Sequence, residues 1–352
     1  MNYFLVFFIF ITLGVPLSYN FGTSYAYWSQ IFLKIAIMFF MIIWSINTKK
    51  SFVLITFLTI CCGVFISMIT IYNKINVINL VEGTRASIAE NMNSSIGDPN
   101  DLALTLLFPF SFCFSLFLTK TRSFFLRLLG LFSSITIVSA IIATQSRGGL
   151  LGLAGVIGYF FTHRFKSKAL LIIVGSCAAI LLFFIAHISL RQSGGGESLS
   201  LDESSMGRIN AWKAAVNMAI HHPIWGVGLD GFQDSLFQYA IVWEKVNRAV
   251  HSSWFGVLAE GGILGFILFI ICVYQALKLS RHNIHIIEAI PNNNFTTELI
   301  LARSLYAGLI GFCISSSFLT QGFTWPFYVF FALSISLSHF IELNKRQMAS
   351  VY

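Results

Sequence analysis

The sequence has few charged residues. Only 10% of its 352 residues are Asp, Glu, Lys or Arg, whereas 56% are hydrophobic, and the mean hydropathy is +0.78. Soluble domains carry about 25% charged residues, so this composition excludes a soluble protein. We therefore predict an integral membrane protein.

Acidic residues are scarcer than basic ones, with 14 against 22, which gives a formal net charge of +8. In a membrane protein, such an excess reflects lysines and arginines that anchor helix ends near anionic lipid headgroups. The charge therefore predicts membrane lipids as partners, and it predicts no nucleic-acid partner.

Cysteines are few, and none lies in a polar loop. The six cysteines are all inside apolar runs, without CxxC spacing, which argues against a disulfide framework and a zinc site. The adjacent His221 and His222 diverge by about 100° on a helix, so they do not form a metal pair. No metal and no cofactor are predicted.

Long apolar runs dominate the chain and predict an all-α polytopic fold. Runs of about 17–23 residues can cross the hydrocarbon core of a bilayer. Ten candidates are found near residues 3–19, 26–46, 52–72, 101–119, 124–144, 149–163, 169–188, 254–277, 299–319 and 324–341. The first segment lacks the charged start and cleavage site of a secretory signal, so it counts as a span. The whole chain, 1–352, is predicted to be one membrane domain.

The distribution of Lys and Arg predicts the topology. With the N-terminus in the cytoplasm, most basic residues fall in inner connections, whereas the short outer ones contain only Lys74, Arg85 and Arg147. This bias matches the positive-inside rule and also places the C-terminus in the cytoplasm. Arg147, in "QSRGGLLG", therefore lies on the outer face against the general trend.

One long outer loop, residues 189–253, has its own organisation. Ser204 and Ser205 are N-cap candidates before "MGRINAWKAAVNMAI". In that segment, four large apolar residues share one helical face, which would lie on the membrane surface or cover a cavity; these are Ile209, Trp212, Val216 and Ile220. Pro223 ends this helix, "FQDSLFQYAIVW" forms a second short amphipathic piece, and His251 lies at the outer rim of the returning span.

Three polar residues are candidates for chemistry because they share the outer face: Arg147, Arg208 and His251. The planar fork of arginine suits phosphate, and histidine transfers protons near neutral pH. Taken singly, each also has an ordinary explanation. An interfacial arginine can reach phospholipid headgroups, and a rim histidine can simply be a hydrogen-bonded polar residue.

Other polar residues leave alternatives open. In "GDPNDLAL", Asp98 and Asp101 are typical of a capped helix start with Pro99 at the first position. Asp101 or Asn100 could instead orient an arginine or hold a sugar hydroxyl. Lys34 in mid-span is a functional candidate by default, with no identifiable partner. Glu260 is buried in the eighth span, nine residues after His251, which argues against a direct dyad between them.

The order of three motifs resembles the O-antigen ligase and polymerase superfamily of bacterial membrane glycosyltransferases. The motifs are "TQSRGGLLGL", "MGRINAWKAAVNMAIHHPIWGVGLDGF" and "VHSSWFGVLAEGGILGFILF", and the resemblance covers residues 97–275. "GDPNDLAL" looks like a stretch of the branch described as O-glycosylation ligases. The resemblance implies a GT-C-like fold with ten to twelve spans and a catalytic core over 97–275.

The resemblance also implies a reaction. Such enzymes are metal-independent and inverting, and they move a glycan from undecaprenyl pyrophosphate to an acceptor hydroxyl, such as that of lipid A-core, on the periplasmic face of the bacterial inner membrane. Arg147 and Arg208 would stabilise the leaving pyrophosphate, and His251 would accept the proton of the acceptor hydroxyl or position that hydroxyl. Asn100, Asp101 and Trp212 join the two arginines as predicted substrate-binding residues. A polymerase with a second lipid-linked glycan as acceptor, or a transporter of lipid-linked glycans, are the alternatives.

Overall fold

The computed structural model describes residues 1–88, 97–119, 123–165, 173, 175–176, 199–241, 248–290 and 295–349, and these are predominantly helical. The helices are α1 Asn2–Gly14, α2 Phe21–Tyr27, α3 Leu33–Ser45, α4 Lys49–Asn76, α5 Pro99–Leu118, α6 Phe124–Ala143, α7 Arg147–Phe165, α8 Leu199–His221, α9 Phe232–Tyr239, α10 Ser253–Ala289, α11 Thr296–Ser315 and α12 Trp325–Ala349. Strands β1 (Leu80–Val81) and β2 (Arg85–Ala86) pair antiparallel.

Among the described residues, seven helical segments are long and apolar enough to cross a membrane. They are Phe21–Ser45, Lys49–Asn76, Pro99–Leu118, Phe124–Ala143, Ser253–Ala289, Thr296–Phe318 and Trp325–Lys345. Each corresponds to a predicted span, so the all-α polytopic fold is confirmed. The first predicted span is the shorter apolar helix Asn2–Leu17, the sixth is helix α7, and the seventh, 169–188, lies outside the described residues except for three positions.

The chain divides into two compact units, each built from three stretches of sequence. The first unit comprises Met1–Phe40, Ser189–Gln275 and Ser316–Tyr328, and the second comprises Met41–Ile188, Ala276–Ser315 and Val329–Tyr352. The prediction of one membrane domain, of a loop over 189–253 and of a catalytic core over 97–275 stays a prediction.

Aromatic rings fill the core of the first unit. The ring of Phe4 lies 4.1 Å from that of Phe39 and 5.2 Å from that of Tyr328, and Phe7 stacks on Phe323 at 6.0 Å. The buried Tyr328 hydroxyl donates to the carbonyl of Gly322 at 2.7 Å. Aromatic packing and the hydrogen bond of the Tyr328 hydroxyl therefore stabilise the short turn after residue 316.

Small residues allow close helix packing in the second unit. A Cβ atom at Gly63 of α4 would lie 2.2 Å from Pro109 of α5, and one at Gly152 of α7 would lie 2.4 Å from Leu107. The Ser115 hydroxyl of α5 donates to the carbonyl of Ile300 in α11 at 3.0 Å. Such small-residue contacts and buried hydroxyls are typical of helices that pack in a membrane.

The prediction that Ser204 and Ser205 cap helix α8 is wrong. The helix begins at Leu199, so Ser204 and Ser205 lie within it and are not N-cap residues. Its buried side is formed by small residues and a methionine, and these are Ala211, Ala214, Ala215, Met218 and Ala219, whereas Ile209, Val216 and Ile220 are exposed. Small side chains allow α8 to approach its neighbours closely, so the large ones remain outside.

Candidate functional site

Arg147 is the first residue of α7, and a strained turn precedes it. Gln145 has a φ of 54°, a conformation that non-glycine residues seldom adopt. The buried Ser146 hydroxyl accepts a hydrogen bond from the backbone N–H of Gly149 at 3.2 Å, which caps the helix. The Arg147 side chain is exposed. It therefore extends from the positive end of a helix dipole, where anions are stabilised.

Arg85, which was not among the predicted site residues, braces this turn. From strand β2, its Nε donates to the carbonyl of Thr144 at 3.2 Å, and its Nη2 donates to Oδ1 of Asn100 at 2.6 Å. The neighbouring Thr84 hydroxyl donates to Oε1 of Gln145 at 3.2 Å. The β-hairpin thus links the start of α5 to the turn that carries Arg147. The only signal in the sequence was that Arg85, like Arg147, is a basic residue on the outer side.

The "GDPNDLAL" stretch forms a capped helix start. The Asp98 carboxylate accepts hydrogen bonds from the backbone N–H groups of Asn100 at 2.6 Å and Asp101 at 3.3 Å, and Pro99 is the first helical residue. Asn100 engages Arg85, and Asp101 is partly exposed in the first turn. Capping by Asp98 is therefore confirmed, while the substrate-binding roles of Asn100 and Asp101 stay predictions.

Arg208 and Trp212 lie one turn apart on α8, in the first unit, beside the segment that leads to His251. A Cβ atom at Gly207 would lie 2.8 Å from Nη1 of Arg248, so the Arg248 guanidinium packs against the backbone next to Arg208. The indole Nε1 of Trp212 donates to the carbonyl of Val250 at 3.0 Å, and its ring stacks on Phe255 at 5.2 Å. These contacts hold residues 248–251 along α8.

His251 has a backbone conformation that favours a functional role. Its φ is 47°, and strained non-glycine residues cluster at active sites and ligand-binding sites. Two residues later, the Ser253 hydroxyl donates to the carbonyl of Leu319 at 2.6 Å and accepts from the N–H of Gln321 at 2.8 Å. The start of α10 is therefore fixed, and the half-buried His251 is presented just before it.

The link between α8 and α9 packs on a break in α10. Gly262 has φ 68° and ψ −174°, which interrupts the helix, and the N–H of Ile263 donates to the carbonyl of Pro223 at 2.8 Å. The N–H groups of Val227 and Gly228 donate to the carbonyls of Ala259 and Glu260 at 2.9 and 3.1 Å. Residues 223–228 thus satisfy the backbone groups that the break exposes.

Glu260 is only 9% exposed and faces the same link. Its carboxylate accepts hydrogen bonds from the backbone N–H groups of Asp230 and Phe232. Asp230 itself has a φ of 55°. Partial burial, and after it the charge of Asp234, raise the pKa of Asp230 above its ordinary value. Sequence reasoning identified Glu260 as a buried acid, but it did not identify its partners.

The paired histidines and Lys34, the remaining candidates, are not part of a cluster of functional side chains within the described residues. The ring of His221 contacts the carbonyl of Asn217 at 2.9 Å, and His222 contacts the Tyr239 hydroxyl at 2.7 Å. Within the described part of the chain, no group of three His, Cys, Asp or Glu residues could hold a metal ion. Lys34 lies on the exposed side of α3.

The structure therefore brings together Arg208, Trp212 and His251 within the first unit, and it adds Arg248 to them. Arg147 belongs to the second unit, together with Asn100, Asp101 and Arg85. Convergence of Arg147 with Arg208 and His251 in one cavity stays a prediction.

These features define a polytopic all-α membrane protein with Arg147 at a capped helix start and His251 on a strained turn just before another helix. Residues 132–270 match the family model described as O-antigen ligase. The resemblance to the O-antigen ligase superfamily is therefore confirmed, and the matched stretch contains Arg147, Arg208 and His251. This resemblance suggests a membrane glycosyltransferase that uses lipid-linked glycan and acceptor substrates. No curated protein matches the chain at a significant level.

Proposed function

We propose that this protein is a polysaccharide ligase of the bacterial inner membrane. It transfers a glycan from undecaprenyl pyrophosphate to an acceptor hydroxyl, on lipid A-core or a similar molecule, at the periplasmic face. Both termini are cytoplasmic in this proposal, and the reaction needs no metal and inverts the anomeric carbon.

One observation carries the proposal. A single stretch that matches the O-antigen ligase family model, residues 132–270, contains two arginines and a histidine of suitable chemistry. Arg147 starts α7, His251 lies just before α10, and Arg208 lies within α8. Gln145 before Arg147 and His251 itself both have positive φ. Strain of this kind is kept where it positions functional groups.

The proposed step follows from these residues. The acceptor oxygen attacks the anomeric carbon while His251 takes the hydroxyl proton. The bond between the anomeric carbon and the pyrophosphate oxygen breaks, and the electron pair leaves with the lipid-linked pyrophosphate. Arg147 and Arg208 stabilise the negative charge that grows on this leaving group. Interactions that strengthen in the transition state accelerate the reaction, whereas uniform binding does not.

The test is transfer by purified protein in lipid vesicles, with undecaprenyl-pyrophosphate glycan and with or without lipid A-core, read by mass spectrometry. A ligase joins glycan to lipid A-core, and this product disappears in Arg147→Ala, Arg208→Ala and His251→Ala. Arg281→Ala, at an exposed position of α10, is the control. Lengthened lipid-linked glycan without acceptor would identify a polymerase instead, and an unchanged donor would favour a transporter.

Metal independence has its own test in the same assay. Excess EDTA is expected to leave the transfer rate unchanged, because arginines rather than a cation stabilise the pyrophosphate in this proposal. Inhibition by EDTA that added Mg²⁺ or Mn²⁺ reverses would contradict it.

A further inference from the structure

The first unit contains a cavity of about 110 Å³ next to the His251 segment. Its wall includes Ser253, Gly256 and Glu260 from one face of α10, together with Asp230, Thr320 and Phe323. One water molecule needs roughly 10–15 Å³ of cavity. The cavity therefore has room for several waters or for the atoms of one sugar ring.

The lining combines acceptors with aromatic surface. The carboxylates of Asp230 and Glu260 accept hydrogen bonds when ionised, and the Thr320 hydroxyl both donates and accepts. Asp230 is exposed, whereas Glu260 is 9% exposed, so the first lies at the mouth and the second at the base. Phe323 and Tyr27 add apolar ring surface, and the Tyr27 hydroxyl donates to the carbonyl of Phe323 at 3.4 Å.

The cavity adjoins the proposed base. Ser253, in its wall, follows His251 by two residues. A Cβ atom at Gly256 would lie 3.2 Å from Cγ1 of Val250 and 3.5 Å from Cγ2 of Thr320. The wall of the cavity therefore touches the residue that precedes His251. A molecule held there would lie beside the segment that carries this histidine.

We propose that the cavity binds one neutral, hydroxyl-rich sugar ring of the acceptor, with Asp230 and Glu260 accepting hydrogen bonds from its hydroxyl groups. This inference rests on the proposed transferase function and adds the acceptor's chemical class to it. The Asp230 carboxylate repels an anionic sugar, because bringing like charges together at short range is costly. Uronic acids are thus disfavoured at this position.

The experiment is saturation-transfer NMR of the purified full-length protein in detergent, with methyl glycosides of neutral hexoses and with methyl glucuronide. At least one neutral glycoside is expected to bind, and the glucuronide is expected to bind at least about tenfold more weakly. Asp230→Asn and Thr320→Val should each weaken the binding of the neutral glycoside. For Asp230→Asn we expect about tenfold weaker binding, because the substitution removes a charged acceptor. Asn also tolerates the positive φ at residue 230, so Asp230→Asn is expected to fold.

Asp234→Asn is the matched control, because it removes the same charge four residues away and outside the cavity wall. Neutral glycoside binding that is equal in wild type, Asp230→Asn and Thr320→Val would overturn the inference, as would the absence of any neutral glycoside binding. Sugar binding without transfer in vesicles would contradict the proposed function but not the sugar site. Transfer by Asp230→Asn with an unchanged acceptor KM would contradict the sugar site but not the proposed function.

Discussion

Gly226 and Gly262 pack backbone against backbone, each with positive φ. A Cβ atom at Gly226 would lie 2.5 Å from the N atom of Gly262, and one at Gly262 would lie 2.8 Å from the N atom of Gly226. Their φ angles are 65° and 68°. This contact joins the link after α8 to the break in α10, and it places Asp230 over Glu260.

Gly262→Ala is expected to destabilise the protein strongly. At φ 68° and ψ −174° the backbone lies in a region that is essentially restricted to glycine, and the new Cβ would also meet the carbonyl oxygen of Ile224 at 2.7 Å. The conformational cost alone is about 1–3 kcal/mol. Thermal unfolding in detergent should show a lower midpoint and lost activity.

The adjacent Gly261 supplies the control. A Cβ there would meet only the flexible end of Ile11, at 3.2 Å, and the Val257 methyl, at 4.0 Å. Gly261→Ala should therefore fold nearly as wild type. Equal stability of the two variants would show that the α10 break does not require glycine at position 262.

Arg85→Lys should lower the rate of glycan transfer by about tenfold without unfolding the protein. A lysine ammonium cannot donate to the Thr144 carbonyl and the Asn100 amide oxygen with the geometry of a guanidinium fork, so the turn that carries Arg147 loses its brace. Glu82→Ala is the control, because Glu82 pairs with Arg85 at 3.9 Å and its side chain is 71% exposed. Solvent-exposed ion pairs contribute little to stability. Unchanged transfer by Arg85→Lys would show that the turn needs no brace.

Trp212→Phe should lower kcat about 2- to 10-fold, with the donor KM unchanged. Phenylalanine keeps a ring against Phe255 but cannot donate to the Val250 carbonyl, and one neutral hydrogen bond contributes about 0.5–1.5 kcal/mol. His251 would then be held less firmly. Steady-state kinetics in vesicles measure both constants, with the exposed neighbour Lys213→Ala as control. A change confined to the donor KM would indicate that Trp212 binds the donor directly.

The spans and the capped start of α5 could be predicted because both depend on local sequence. The length of an apolar run shows directly whether the segment can cross the hydrocarbon core of a membrane. Asp98 followed by Pro99 is a short-range signal for a helix start. The motif order supplied the superfamily and, with it, the three candidate residues. None of these inferences needed a tertiary contact.

Other features depend on contacts between distant residues. The inner face of α8 is formed by alanines. They give a weak hydrophobic signal, so the sequence did not predict this face. The roles of Arg85 and Arg248 follow from a hairpin with strands of two residues each and from the approach of a guanidinium to Gly207. The partnership of Asp230 and Glu260 requires the break at Gly262, which lies inside a long apolar run and leaves no mark in the hydropathy.

Asp230→Asn should raise the unfolding midpoint at neutral pH. Burial and Asp234 raise the pKa of Asp230 in the folded protein, so at pH 7 its charge is less favourable in the folded than in the unfolded state. The variant lacks this cost. As the pH falls through the raised pKa the wild type becomes protonated, and the difference should vanish below the ordinary pKa of about 3.9.

Thermal scans from pH 8 to pH 3 measure this difference. Asp234→Asn should have the opposite sign at neutral pH, because the Asp234 carboxylate accepts hydrogen bonds from Asn20 at 2.9 Å and Thr23 at 2.8 Å. A pH-independent difference for Asp230→Asn would mean that its carboxylate titrates alike in both states.

Arg147→Lys separates the charge of the side chain from its shape. The Arg147 side chain is exposed, while Ser146 and Gly149 make the capping contact of α7, so the substitution leaves the helix start intact. Lysine keeps the positive charge at the helix N-terminus but cannot bind two phosphate oxygens with one planar group. If the residue holds pyrophosphate through that fork, transfer should fall at least about tenfold, and Arg147→Ala should reduce it further. Arg281→Lys in α10 is the matched control and should keep full activity. Equal transfer by wild type and Arg147→Lys would show that a positive charge at the start of α7 is sufficient.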